Sequence, residues 1–437
     1  MKALAAAVLA VAVAALLVRP APRRRVVQLP AGVIDVRAAI YWGSDVEVYG
    51  SPGGTVLRMT APFPDAALVD CGDNVYLHDF TIDGNRDALE TRQGLPPWNQ
   101  PFTGFTRGNG IAVAGRHNIT IRNVRCRNVA GFAILVSRSH DVAIEQVRVE
   151  SSGSRNSAGR NNTTGGILLE EGTSDFRVTR CELTGIRGNG IWTHSLYTSP
   201  RNAQGVLEGN RFDTIGRDAL QVGHATAIQV LDNSGVRIGF PEAVVDVEAQ
   251  AIPVAVDTAG NVDHSLYEGN RFRQIDGKCI DLDGFHDGEV RGNACADLSG
   301  YGIVMNNSNP DMQSSHIRIV GNRIDGAGFG GVFVIGTDNL VAGNRLLNLN
   351  TAHCNEEAAR SGCYYAAGEP DMLRSGIYLG QRAERPAPAR GNVIEDNEIT
   401  GYKMDTQCIG RAPAIPPGWN RVERNWCRST SSLPAVP

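Results

Sequence analysis

An asparagine marker, often preceded by glycine, recurs along most of the chain and constrains its fold more than any other feature. Several steps between markers are 22 or 23 residues long, such as Asn210 to Asn233 and Asn322 to Asn344. A residue that is usually apolar follows two positions later, and a second apolar strand begins ten positions after the marker. The equivalent positions are Phe80, Val124, Val147, Cys181, Asn210, Asn233, Asn270, Asn293, Asn322, Asn344, Asn397 and Asn425.

A unit of about 23 residues with three short strands cannot enclose a core alone, so the repeat predicts units stacked in parallel. We expect an all-β fold, a right-handed parallel β-helix solenoid of about ten to twelve coils with loop insertions flanking one sheet. Aligned asparagines would form side-chain ladders along such a stack. A β-propeller needs longer repeats of four strands and a Trp-Asp signature, which this sequence lacks.

Composition limits the function classes. With 50 Gly and 42% hydrophobic residues the chain has both turns and core, and a net charge of -4 argues against a nucleic-acid binder. The apolar run Ala3–Val18 predicts that residues 1–25 are a signal peptide or an uncleaved N-terminal anchor. Residues 26–430 would form a single β-helix domain and residues 431–437 a tail. We therefore expect a secreted or periplasmic protein, with membrane anchoring as the alternative.

Three stretches carry a family resemblance. The opening VVQLPAGVIDV, the later NVYLHDFTIDGN and the GNRF and GNRI units resemble the pectate-lyase-like β-helix superfamily, over about Val26 to Cys427. That superfamily includes lyases, hydrolases, epimerases and non-catalytic proteins, so the resemblance implies the fold and a role with carbohydrate. The Asn-Thr-Asp and Asp-Asp motifs of polygalacturonases and the Asp-Pro-His motif of alginate epimerases have no clear match here. No specific activity is implied.

Insertions indicate the working face. They flank the strand that starts ten residues after the marker, and loops on both edges of a sheet form a groove suited to an extended polymer. The insertions before this strand are Asp87–Gly108, Ser151–Thr164 and Asn348–Arg374, and those after it are Leu196–Asn202, Ala249–Asn261 and Asn307–Ser314.

Alternation in each strand defines the side chains that face the groove. In CIDLDGFHDGEVRGN, Ile280 and Leu282 point inward while Asp281 and Asp283 point outward. The alignment places Asp246 next to Asp283 on the adjacent coil. Two close carboxylates raise one another's pKa, which gives the proton donor and the base or nucleophile of glycosidic hydrolysis. The candidate catalytic residues are Asp246, Asp283, His194 and His224, and the candidate substrate-binding residues are Glu170, Trp192, Gln221, Asp281, Asn306, Phe333 and Tyr378.

Several alternatives remain at this level. Asp246, Asp281 and Asp283 could together hold Ca²⁺, although hydrolysis requires no cofactor. The outward aromatic residues either stack on sugar rings or lie under the insertion loops. Cys126, Cys295 and Cys427 fall in the interior column as small hydrophobic residues, and Cys354 and Cys363 are spaced for a loop-closing disulfide. The odd number of cysteines leaves at least one free thiol.

Three functions compete. The leading hypothesis is an exported, polysaccharide-degrading glycoside hydrolase; a Ca²⁺-dependent polysaccharide lyase acting on uronic acids is second, and a non-catalytic glycan-binding or surface protein is third. In each case we expect a monomer whose partner is a polysaccharide or oligosaccharide and not a nucleic acid. The outward columns contain no Arg or Lys, and Lys278 just before its strand counts against the lyase.

Overall fold

The computed structural model describes residues 24–241, 253–308, 314–354, 363, 368–369 and 371–430, which form a parallel β-helix. Each coil contributes one strand to each of three sheets, and every paired strand runs parallel to its neighbours on the coils above and below. None of the helices in this part of the chain has the length and apolar character to cross a membrane. The all-β prediction is confirmed.

Sheet 1 contains the strand that follows each marker. It has 14 strands, more than the ten to twelve coils expected, because the first two coils precede the earliest marker. Its strands are Gly32–Val36, Thr55–Met59, Thr81–Asp83, Arg125–Arg127, Arg148–Glu150, Glu182–Ile186, Arg211–Ile215, Ser234–Ile238, Arg271–Ile275, Ala294–Leu298, Arg323–Ala327, Arg345–Leu349, Glu398–Gly401 and Trp426–Ser429.

Sheet 2 contains the strand flanked by insertions, and sheet 3 the strand that leads to the next marker. The strands of sheet 2 are Ile40–Trp42, Ala67–Cys71, Asn109–Ala114, Ile134–Ser137, Ile167–Glu170, Ile191–His194, Leu220–Leu231, Val254–Asp263, Lys278–His286, Ile303–Asn306, Val332–Val334, Ile377–Leu379 and Ile409–Arg411. Those of sheet 3 are Arg25–Gln28, Val46–Tyr49, Val75–His78, His117–Arg122, His140–Glu145, Ser174–Thr179, Asn202–Glu208, Leu266–Glu268, Glu289–Arg291, Arg318–Val320, Leu340–Ala342, Val393–Glu395 and Arg421–Glu423. Leu220–Leu231 continues around the corner into sheet 3.

The asparagine marker has a physical basis at the corner between sheets 3 and 1. The preceding residue turns the chain with a left-handed backbone, as at Gly269 (φ 70°) and Gly292 (φ 61°), which glycine adopts without steric cost. The buried asparagine then bonds along the stack: the Asn270 amide Nδ2 donates to Asn293 Oδ1 at 2.8 Å, and Asn293 Nδ2 donates to Asn322 Oδ1 at 2.9 Å. The predicted ladder is confirmed from Asn210 to Asn425.

Inward side chains of all three sheets form one core, and the cysteines take part in it. Cys354 and Cys363 form the expected disulfide. Treating Cys295 and Cys427 as small hydrophobic residues was wrong, because they are bonded to Cys279 and Cys408. In each pair two inward-facing cysteines meet across the interior, with Cα atoms 5.9 Å and 5.8 Å apart. The free, buried cysteines are Cys71, Cys126 and Cys181.

Two short helices, Arg86–Leu89 and Phe102–Phe105, lie in the first large insertion. Phe102 packs its ring against Phe132 and Trp192 of sheet 2, with centroids 5.5 Å and 5.0 Å away. This insertion therefore covers the outer face of sheet 2 over its N-terminal coils. The outer face beyond Trp192 carries the charged residues described next.

Candidate functional site

Parallel register brings a column of outward residues together on sheet 2. Trp192 pairs with Gln221, and Gln221 pairs with Asp257 on the next coil. Val256 pairs with Ile280, which puts Asp257 beside Asp281, and Asp281 pairs with Val304. Neighbouring strands of a sheet lie about 4.8 Å apart, so Asp257 and Asp281 are adjacent acidic residues on one face.

The register corrects the sequence alignment at this coil. Asp246 lies outside the described residues, and the position beside Asp283 that the alignment gave to it is occupied by Ala259. The strand Val254–Asp263 begins within the segment assigned as the loop Ala249–Asn261 and extends past its end. The fixed offset of ten residues after Asn233 fails here because extra residues precede the strand and do not follow it.

Asp257 is held by a chain of side-chain amides. Asn189 Nδ2 donates to Gln221 Oε1 at 2.7 Å, which orients the Gln221 amide so that its Nε2 donates to Asp257 Oδ2 at 2.6 Å. All three side chains are buried. Asp218, at the start of the same coil as Gln221, is also buried and accepts a 2.8 Å hydrogen bond from the Val254 backbone N–H.

Asp281 occupies the centre of the cluster. Its Oδ2 accepts a hydrogen bond from the Lys278 ammonium three residues earlier. Its Oδ1 is buried and has no hydrogen-bond partner among the described residues. Asp281 therefore has one oxygen held by a cation and one buried oxygen that has no hydrogen-bond donor in the described part of the chain.

The carboxyl groups of the cluster have different surroundings. Burial, followed by repulsion from Asp218 and Asp281, raises the pKa of Asp257 well above its ordinary value. Burial raises the pKa of Asp283 to about 6, with Asp281 adding to the shift, and burial likewise raises that of Asp218 to about 6. The site therefore combines Asp257, whose pKa is raised, with Asp281, whose Oδ2 is paired to the Lys278 ammonium.

Asp283 and Asn306 are less buried than Asp281, and they lie side by side in the neighbouring outward column. Asp283 Oδ1 accepts a 2.8 Å hydrogen bond from the Ser308 backbone N–H. Gly223 and Ala259 occupy the same column on the two preceding coils. This column beside the acidic cluster is thus made of small or half-buried residues.

His194 and His224 stand on the other side of Gly223. Both rings have a buried Nδ1 without a hydrogen-bond partner in the described part of the chain. Burial lowers the pKa of His194 to about 4 and also lowers the pKa of His224. Two imidazoles that stay neutral can donate or accept hydrogen bonds but contribute no charge.

The predicted substrate-binding residue Glu170 has a structural role in this arrangement. Its carboxylate accepts hydrogen bonds from the Phe102 N–H (2.9 Å) and the Thr103 N–H (2.8 Å) at the start of a helix, and from the Thr103 hydroxyl. Ligand atoms of Glu170, Glu171 and His194 lie within 4.8 Å of one another, the geometry of a cation site. The Glu171 oxygens accept bonds from the Leu196 N–H and the Ser199 hydroxyl, so these carboxylates already have donors.

The outward aromatic residues lie beneath other side chains. Trp192 is 7% exposed, Phe333 4% and Tyr378 1%. Phe333 and Tyr378 stack on each other with centroids 6.1 Å apart, and Phe102 covers Trp192. Of the two alternatives for these rings, the structure shows covering by an insertion at Trp192, and the low exposure of all three rings leaves none of them open to a sugar.

Sequence reasoning placed Gln221 and Asp281 in one outward column and Asp283 in the next, as the register does, but it did not identify Asp257, Asp218 and Asn189 as their neighbours. One sequence signal could have identified Asp257: an apolar residue followed by an aspartate occurs at Val256–Asp257, as it does at Ile280–Asp281. Lys278 was noted for its position before the strand, but its contact with Asp281 requires the side-chain geometry. Ca²⁺ binding by Asp246, Asp281 and Asp283 together remains a prediction, since one of the three lies outside the described residues.

Comparisons with known proteins identify the fold. The family model for the right-handed β-helix region matches residues 65–240 and 256–413. The surface protein and adhesin PfbA of Streptococcus pneumoniae is similar in structure, with 15% identity, coverage of 74% of this chain and 90% of that chain, and a TM-score of 0.56. The Dettilon tailspike protein shares 12% identity, with coverages of 89% and 62% and a TM-score of 0.51.

A third similar structure is the GH136 lacto-N-biosidase from Eubacterium ramulus, with 13% identity, coverages of 88% and 62%, and a TM-score of 0.51. No curated protein sequence matches the chain. At these identities the structural likenesses describe the fold alone, and the chemistry has to be argued from the side chains above.

Proposed function

Because the chain belongs to the right-handed β-helix family, we propose that the acidic cluster on sheet 2 hydrolyses glycosidic bonds in a polysaccharide or oligosaccharide. The observation that carries this proposal is the pairing of Asp257 and Asp281 on adjacent coils, where Asp257 has a raised pKa and Asp281 forms an ion pair with Lys278. Glycosidic hydrolysis uses a carboxylic acid and a carboxylate at one bond, and their environments must separate their pKa values.

The residues take distinct roles in this mechanism. Asp257, whose pKa is raised by burial and which Gln221 orients, is the acid that donates its proton to the oxygen of the leaving sugar. Asp281, paired with Lys278, acts through its unpaired Oδ1 on the anomeric carbon or on the attacking water, which requires a side-chain movement because that oxygen is buried. The water supplies the hydroxyl of the new reducing end, and its remaining proton restores the acid. Asp283 and Asn306 at the open edge bind sugar hydroxyls.

The location follows from the substrate. A polysaccharide too large to enter a cell is cleaved outside it, and we propose a secreted or periplasmic protein that acts as a monomer. The three disulfides support an oxidising compartment. Proteins with this fold include one named as a glycosidase and one named as a surface adhesin, so the fold is compatible with catalysis and with binding alone.

A specific observation favours the lyase as the second candidate. Lys278 lies inside the cluster, whereas its position before the strand had counted against its involvement. A lyase needs a base that removes the proton from the carbon bearing the carboxyl group of a uronic acid, and it needs a cation that neutralises that carboxyl group. A Ca²⁺ ion bound by nearby carboxylates would supply the cation. The ion pair with Asp281 ranks this candidate lower, because it keeps the amine protonated and unable to act as a base.

The decisive experiment measures product chemistry on a panel of starch, dextran, xylan, galactan and polygalacturonate in ¹⁸O-labelled water. Hydrolysis releases reducing ends that carry one ¹⁸O atom, whereas a lyase releases an unsaturated sugar that absorbs in the ultraviolet and carries no label. We expect labelled reducing ends from the wild type and a loss of at least about 10³-fold in kcat for Asp257→Asn and Asp281→Asn.

The control variant is Asp297→Asn, which removes one carboxylate from sheet 1, away from the cluster. It should retain wild-type turnover. Turnover that persists in Asp257→Asn and Asp281→Asn while their circular dichroism remains native would contradict the assignment. Binding to one of these glycans with no product of either kind would establish the non-catalytic alternative.

A further inference from the structure

A cavity lies on the outer face of sheet 1, whereas the acidic cluster lies on the outer face of sheet 2. It has a volume of about 640 Å³ and its floor consists of small side chains, among them Ser234, Ala294 and Ala296. The neighbouring coils carry the long side chains of Arg211 and Arg271 at the equivalent register position. Short residues between arginine rungs therefore create a trough across several coils.

The trough is positively charged although the whole chain has a net charge of -4. Arg211, Arg271 and Arg273 line it, and none of them forms a side-chain hydrogen bond or an ion pair with another residue that the structure describes. The nearby acids already have cationic partners: Asp213 pairs with Arg237 and Asp325 with Arg323.

Most other arginines on this sheet are paired, as in Arg125 with Glu150, Arg148 with Glu182 and Arg345 with Glu398. Apart from Arg428 of the last strand, which lies over the Trp426 ring, the described arginines of sheet 1 without a hydrogen bond or ion pair are Arg211, Arg271 and Arg273, in the part of the sheet that has the small side chains. Guanidinium groups recognise carboxylate and sulfate through parallel N–H donors, which favours an anionic ligand over a neutral one.

The spacing of the cations indicates the kind of anion. Register pairs Arg211, Ser234, Arg271, Ala294 and Arg323 in succession, so arginine occupies every second coil. Two coil spacings amount to roughly 9.6 Å. This is close to the length of one disaccharide in an extended glycan, so each arginine would meet the acidic group of successive disaccharides.

We propose that this trough binds an extended acidic glycan that carries a carboxylate or sulfate group on each disaccharide. A nucleic acid fits less well for two reasons. Its phosphates are spaced at about 3.4 Å along one strand, and single strands are held by exposed aromatic platforms. The rings nearest the floor, Phe212 and Phe272, are 2% and 3% exposed.

The test measures binding of the full chain to hyaluronate, which has one carboxylate per disaccharide, by surface plasmon resonance. Chondroitin sulfate is a second acidic probe that distinguishes sulfate from carboxylate, dextran is the neutral probe, and oligo-dT is the nucleic-acid probe. We expect binding to at least one acidic glycan that weakens as salt increases, with no binding to dextran.

The variant Arg211→Ser/Arg271→Ser/Arg273→Ser copies the serine that already stands at position 234. It should weaken acidic-glycan binding by about tenfold or more, because three charged contacts are lost. The matched control, Arg125→Ser/Arg177→Ser/Arg345→Ser, removes the same charge from arginines that are already ion-paired. It should bind almost as the wild type does.

Equal weakening in the two triple variants would mean that only net charge matters, and it would overturn the proposal. So would tighter binding to oligo-dT than to either acidic glycan, or no binding to any acidic probe. The variants Asp257→Asn and Asp281→Asn should bind the acidic glycan normally, which separates this proposal from the hydrolytic one.

Discussion

Asn293 offers the sharpest test of what holds the coils together. Its amide Nδ2 donates to the Tyr267 carbonyl and to Asn322 Oδ1, both at 2.9 Å. Its Oδ1 accepts from the Asn270 backbone N–H at 3.0 Å and from the Asn270 Nδ2 at 2.8 Å. Asn293→Ala removes four hydrogen bonds in a position where the side chain is 1% exposed.

The free energy of unfolding should fall by on the order of 4 kcal/mol in this variant. Two buried backbone groups, the Asn270 N–H and the Tyr267 carbonyl, lose their side-chain partner, and each such group costs about 1–3 kcal/mol. The Asn270 Nδ2 keeps its 2.9 Å bond to the Val230 carbonyl, so its loss is partial. The two backbone groups therefore account for most of the change.

The assay is guanidinium unfolding followed by circular dichroism, together with hydrogen exchange at the Asn270 amide, because solenoids can unfold in segments. Asn425→Ala is the control, since Asn425 makes the same kinds of bond but is only half-buried. Water can replace its bonds, and we expect a loss of about 1 kcal/mol there. The contribution of the asparagine ladder to stability would be refuted if Asn293→Ala lowered the free energy of unfolding by less than about 1 kcal/mol, or if hydrogen exchange at the Asn270 amide were unchanged.

Two further predictions concern ionisation. Gln221→Leu removes the hydrogen bond that lowers the pKa of Asp257, so the pKa of Asp257 should rise. The alkaline limb of the pH profile of kcat/KM should then move to higher pH, and an unchanged limb would argue against Asp257 as the acid. The pKa of His194 is about 4 in the folded protein and about 6.5 in the unfolded chain, so between these pH values the unfolded chain binds the additional proton. The free energy of unfolding is therefore highest above pH 6.5 and falls as the pH is lowered toward 4. His194→Phe should remove most of this loss of stability, which is on the order of 3 kcal/mol and is measured by denaturant titrations at several pH values.

The repeat was readable from the sequence because each marker meets a local requirement. A left-handed residue must turn the corner, an asparagine must satisfy buried backbone groups, and an apolar residue must point inward two positions later. These requirements hold at Asn270 and at Asn293 alike, so the fold, the ladder and the inward column could be predicted. The adjacency of Gln221 and Trp192 followed from the same fixed offset.

The site depended on where one insertion was placed. Counting ten residues from Asn233 put Asp246 beside Asp283, whereas pairing between strands puts Asp257 beside Asp281. A fixed offset in the sequence cannot show whether inserted residues precede or follow a strand, because both placements of the strand give alternating inward and outward residues. Only the hydrogen bonds of the neighbouring coils distinguish the two.

The stack of parallel coils can be predicted from the amino-acid sequence, because periodic local rules act within each unit. The residues that form the chemistry can be identified only in the folded chain, because side chains on different coils meet through register and through loops that fold over them. The hydrogen-bonded chain Asn189–Gln221–Asp257 and the Lys278–Asp281 pair give the two carboxyl groups different surroundings through burial and contact. Burial and contact are properties of the assembled stack, and no single repeat contains them.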